Sequence, residues 1–134
     1  MGIDKWENAP FTITVDCNER VLRKDLPILI GRSASLDKQI HKLLQTEDFQ
    51  FGWLCSEQIV VLPEHKEGTD FIEIEVHGTS SGYFDSGSWD YPPESDEEKE
   101  INSANIYYYD KEGNQIHECE THKADFLFNM RRFV

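Results

Sequence analysis

The period of the apolar positions is clearest at Phe71-Ile72-Glu73-Ile74-Glu75-Val76-His77. Apolar and polar residues alternate with period two, the pattern of a strand with one dry face and one wet face. Ile72, Ile74 and Val76 belong to the face predicted to enter the core. Glu73, Glu75 and His77 share the solvent face, where Phe71 is the exception. Phe11-Thr12-Ile13-Thr14-Val15 alternates too and is rich in β-branched residues, so it also predicts a strand. A turn at 16–19 and a return strand from Arg20 follow. Ile28-Leu29-Ile30, between Pro27 and Gly31, predicts a short strand. The period then changes. Leu36, Ile40, Leu43 and Leu44 fall at i, i+4, i+7 and i+8, one face of a helix over about 35–46. Ser35 or Ser33 supplies its cap, and Asp37 suits the positive end of its dipole. Phe49 to Trp53 reads as aromatic core cover, and Gln58 to Leu62 as a strand closed by Pro63.

After His77 the alternation stops at Gly78-Thr79-Ser80-Ser81-Gly82. A long acidic hairpin tip is predicted over 78–103, with a strand resuming at Ala104 to Tyr109. Asp110-Lys111-Glu112-Gly113-Asn114 is the best turn signal in the chain, with Gly113 suited to a left-handed position. Gln115 to Cys119 would pair back. A C-terminal helix carrying Ala124, Phe126, Leu127, Met130 and Phe133 competes with a terminal strand through Phe126-Leu127-Phe128. Strands and helices do not alternate regularly, which excludes a doubly wound parallel sheet. The expected fold is α+β, mainly antiparallel, with residues 1–134 forming a single domain.

Charge sharpens this picture. The chain carries −13, and residues 64–100 hold twelve acids against Lys66 and Lys99, or −10 in 37 residues. So concentrated a negative charge disfavours direct contact with nucleic acid or an anionic membrane, and steers basic partners instead. Tyr83, Phe84, Trp89 and Tyr91 lie among the acids, and Pro92-Pro93 stiffens the middle. Aromatic anchors amid charge suit a protein interface. The expected partner-binding residues are Glu73, Glu75, Tyr83, Asp85, Trp89, Asp90, Tyr91, Glu94, Asp96, Glu97 and Glu98. Carboxylates at alternate strand positions stand about 6.6 Å apart, a spacing that a protein groove lined for phosphates would accept.

The hairpin segment Gly82-Tyr83-Phe84, followed by Tyr91-Pro92-Pro93-Glu94-Ser95-Asp96-Glu97-Glu98, resembles small acidic accessory proteins of bacteriophages. Some of these are anti-CRISPR or anti-restriction inhibitors that imitate nucleic acid. The resemblance covers residues 71–110 and assigns no residue roles. It implies a non-enzymatic inhibitor acting in the cytoplasm on a basic, nucleic-acid-processing enzyme.

Other chemistry is thinner. No Gly-x-Ser-x-Gly, phosphate loop or dinucleotide fingerprint occurs, so no catalytic residue or cofactor is expected. His117, Cys119 and His122 form a His-x-Cys-x-x-His cluster suited to zinc but short of a fourth ligand. A zinc-stabilised or metal-dependent domain is therefore one alternative function, and a virion or assembly component, which a homo-oligomeric state would support, is another. The run Asp85 to Asp90 lacks the order of a calcium loop. Cys17, Cys55 and Cys119 are far apart and odd in number, which predicts buried reduced thiols. No apolar run approaches the roughly 20 residues that span a bilayer.

Overall fold

A computed structural model describes residues 3–17, 19–22, 33–46, 49 and 51–134. Among these residues, seven strands and two helices follow in order: β1 (Ile3–Cys17), β2 (Glu19–Leu22), α1 (Ala34–Leu44), β3 (Phe51–Cys55), β4 (Gln58–Val60), β5 (Phe71–Asp85), β6 (Glu94–Tyr109), β7 (Gln115–Thr121) and α2 (Ala124–Met130). A 3₁₀ turn, Arg131–Phe133, ends the chain. The fold is α+β and mainly antiparallel. The strand expected at Ile28–Ile30 lies outside the described residues.

Two sheets form, β1-β5-β6-β7 and β2-β3-β4, each antiparallel throughout. The small sheet is the middle layer. On one side Leu54 and Ile59 join Val21, Leu36 and Ile40 beneath α1. On the other, Trp53, Cys55 and Val60 enter the main core with Ile72, Ile74, Val76 and Ile106. Phe126, Leu127 and Met130 of α2 close that core, which settles the C-terminal segment as a helix rather than a strand.

Local chemistry explains the element ends. Ser33, not Ser35, caps α1, its hydroxyl accepting from the Leu36 amide at 3.0 Å. The 110–114 turn forms as expected. Gly113 has φ +84°, and the Asp110 carboxylate accepts from the amides of Glu112 and Asn114. Phe71 is tolerated on the polar face because it stacks on Tyr109, ring centroids 4.9 Å apart.

Three sequence expectations change. First, Phe51 to Cys55 is itself a strand, and its Gly52, Trp53 and Cys55 are buried. Second, the acidic hairpin over 78–103 forms, but most of it is regular paired strand rather than a break after His77. β5 runs unbroken to Asp85 and β6 starts at Glu94, so only 86–93 lie beyond the paired strands. The glycines that broke the pattern are places where β1 lays aromatic rings on the sheet. A Cβ on Gly78 would meet the Phe11 ring, and one on Gly82 the Trp6 ring. Third, Cys17 and Cys55 are buried but not reduced. Packing of the small sheet on the large one sets their Cα atoms 4.7 Å apart, within bonding range, and a disulfide joins the two sheets. Cys119 alone is free and half-buried.

Candidate functional site: a bare acidic sheet face

Pairing register decides which side chains share the face opposite the core. Beside Glu73 lie Asp16 of β1 and Tyr107 of β6, and beside Tyr107 lies Glu118 of β7. Beside Glu75 lie Thr14 and Asn105, then Glu120. Farther out, Thr79 pairs with Glu100, Ser81 with Glu98, Tyr83 with Asp96 and Asp85 with Glu94. Asp16, Glu73, Glu75, Asp85, Glu94, Asp96, Glu98, Glu100, Glu118 and Glu120 therefore line one side of a four-stranded sheet. Lys5, opposite Tyr83, and His77 are the bases of that face among the described residues. Both helices and the small sheet pack on the other side, so no element among the described residues covers the acidic face.

Two irregularities keep this face in phase. Glu7 and Asn8 together oppose Ser81, with Asn8 at φ 50° and its amide donating to the Ser81 hydroxyl at 3.0 Å. Asn102 is the extra residue of β6, between the pairs of His77 and Gly78. Such bulges insert one residue and let alternation resume with a new phase. Without the second, Glu94, Asp96, Glu98 and Glu100 would face the core side.

The electrostatics follow from crowding. Partial burial, then the Asp16 and Glu75 charges, push the Glu73 carboxyl above the ordinary carboxylate range. Burial and the neighbouring Glu73 charge likewise raise Tyr109. His77 bridges to Glu75 at 2.8 Å and lies 3.3 Å from the Thr12 hydroxyl.

Of the expected partner-binding residues, Glu73, Glu75, Tyr83, Asp85, Glu94, Asp96 and Glu98 share this face. Glu97 alternates to the other side, where it pairs with Lys99 at 3.3 Å. Trp89, Asp90 and Tyr91 sit at the hairpin end. There Ser88 and Tyr91 exchange backbone hydrogen bonds across a two-residue loop. Trp89 is 95% exposed on that loop. Its setting is ordered: the Asp85 carboxylate accepts from the Gly87 amide at 2.9 Å, and Gly87 adopts φ +78°. Sequence reasoning missed Asp16, Glu100, Glu118 and Glu120 as members of the face. Glu118 and Glu120 do alternate around Cys119, but only pairing shows which side they take.

The His117, Cys119 and His122 cluster does not converge. His117 lies 2.9 Å from the Glu64 carboxylate, which also holds the Cys119 thiol. Both neighbours lower Glu64, while burial and Glu64 push the Cys119 thiol up, away from the reactive thiolate. His122 turns instead toward Glu120 and the Asn102 carbonyl. Among the described residues no three metal-ligating side chains gather at one point, and no helix is long and apolar enough to cross a membrane. Comparison of the chain with protein-family models, curated proteins and solved structures found no match.

Proposed function

We propose that this chain is a non-enzymatic docking protein that presents its bare acidic face to a basic partner protein. The observation that carries the reading is the set of ten carboxylates on the one side of the four-stranded sheet that no described element covers. They approach one another closely enough to raise Glu73. A surface that repels itself gains most from a partner whose Lys and Arg neutralise it. Trp89 and Tyr91 at the far end supply apolar anchors of the kind that dominate interface energies.

Charge density selects the version of this reading. Fifteen residues of β5 at about 3.3 Å each give a face about 50 Å long, or one carboxylate per about 5 Å. Duplex nucleic acid offers one charge per about 1.7 Å, about three times more. The face therefore suits a phosphate-binding groove only with help from the aromatic tip. An inhibitor that occupies the groove of a nucleic-acid-processing enzyme, as in bacteriophage anti-CRISPR or anti-restriction proteins, is the specific form we favour. Such an inhibitor would act in the cytoplasm, and one observation weighs against that placement. The Cys17–Cys55 bridge favours an oxidising compartment, where disulfides persist.

The test is a photo-crosslinking residue at position 98 or, as control, at 97, in protein added to lysate of its native host. A basic protein captured from 98 and not from 97, and released by duplex DNA or salt, is expected. Capture equal from both positions, or insensitive to salt, would remove the reading.

A further inference from the structure

On the side of the molecule away from the acidic face, α1 and the C-terminal 3₁₀ turn flank an open groove of about 390 Å³. Ser35, Lys38, Gln39, Lys42, Gln58 and Arg132 line it. Among the described residues, every lining residue is polar, three are cationic and none is a carboxylate, in a chain where acids outnumber bases 26 to 13. Lys38, Lys42 and Arg132 form no ion pair among the described residues.

The helix dipole accounts for only part of this. Lys42 lies in the last turn of α1, where a cation is favoured. Lys38 lies a turn earlier on the same helix face, and Arg132 comes from a different element. Like charges brought together from two elements repel, by an amount comparable to a weak salt bridge reversed.

The walls are also fixed. The Gln39 side chain spans from α1 to the small sheet, donating to the Glu57 carbonyl at 3.0 Å and accepting from the Ile59 amide at 2.9 Å. Gln58 holds Arg132, its amide oxygen accepting from Nη1 at 2.8 Å. That bond orients the guanidinium and leaves further donors of its fork for a ligand. Ser56 and Glu57 form the two-residue hairpin loop before Gln58 and take positive φ (49° and 65°), as such a tight turn requires, which fixes where Gln58 begins β4.

We propose that this groove binds a phosphate-bearing small molecule. Two ammonium groups and an oriented guanidinium match a multiply charged oxyanion. The volume falls within the range of small-ligand pockets, about 300–1,000 Å³, and exceeds what phosphate alone would fill. The site is independent of the acidic face, and either proposal stands if the other falls.

The probes are inorganic phosphate and pyrophosphate, titrated into the full chain at constant ionic strength with chloride as control. Amide NMR shifts are the readout. Saturable shifts confined to Ser35–Lys42, Gln58 and Arg132 are expected, stronger for pyrophosphate. The Lys38→Gln/Lys42→Gln pair should weaken them about tenfold, as loss of two exposed charge contacts implies. Arg132→Gln lies outside the helix and should weaken them too if the double variant misfolds. Dispersed, non-saturating shifts, or shifts unchanged in both variants, would overturn the proposal. So would concentration-dependent self-association lost in the double variant, which would assign the groove to the acidic face of a second copy.

Discussion

Glu73 and Asp16 face each other across β5 and β1, directly paired, with Glu75 two residues along the same strand. Part-buried and hemmed by like charge, the Glu73 carboxyl holds its proton above the ordinary range, and Asp16 hydrogen-bonds it. A raised folded value means that the neutral form is favoured by folding. The contribution is fully present below the unfolded value and is lost as pH rises through the folded one. Glu73→Gln should therefore stabilise the protein near neutral pH, by about 0.5 kcal/mol or roughly 2 °C in Tm. The gain should shrink toward pH 4. Melting curves of both proteins from pH 4 to 8 check this. A variant less stable at pH 7 would contradict it.

The disulfide joins β1 to β3 across 38 residues of chain. Closing a loop of that length restrains the unfolded chain by about 4 kcal/mol in the chain-entropy account. Both sulfurs are buried, so replacement also removes core contacts. Cys17→Ala/Cys55→Ala should lower stability by about 3–5 kcal/mol, read from urea unfolding. Reducing the natural protein under partly unfolding conditions should also lower stability, by less, because both sulfurs stay in the core. Equal midpoints with and without reductant would show that the bridge does not staple the sheets in solution.

Gly78 lies where a side chain would strike the Glu100 carbonyl and the Phe11 ring. Gly78→Ala should cost about 1–3 kcal/mol through overpacking, measured by thermal unfolding. Amide exchange should accelerate first at the ribbon formed by 78–85 and 94–101. A neutral outcome would mean that Phe11 does not cover this part of the sheet.

The sequence made some of this legible and hid the rest for physical reasons. Alternation from Phe71 to His77 gave both faces of β5, because period two maps directly onto a one-sided strand. The helix at Leu36–Leu44 was readable from its own spacing. The ends of the long hairpin were not, because Gly78 and Gly82 act as breakers unless Phe11 and Trp6 cover them from a strand more than 65 residues away. The strand from Ile3 to Pro10 was hidden by its bulge at Glu7 and Asn8. Membership of the acidic face depends on register, which no single segment encodes. Glu97 and Glu98 look equivalent in sequence yet point to opposite sides. The Cys17–Cys55 pairing is non-local in the same way.

The central claim is that placement of the carboxylates, not net charge, drives docking, and two variants of equal charge separate the two. Asp96→Asn/Glu98→Gln/Glu100→Gln neutralises the bare face, while Asp4→Asn/Glu97→Gln/Glu112→Gln neutralises positions off it. Affinity for the basic protein captured at position 98 is measured for each across a salt series. The first variant should bind at least about tenfold more weakly, with a shallower salt dependence, and the second should bind as the natural protein does. Equal weakening in both would contradict the account.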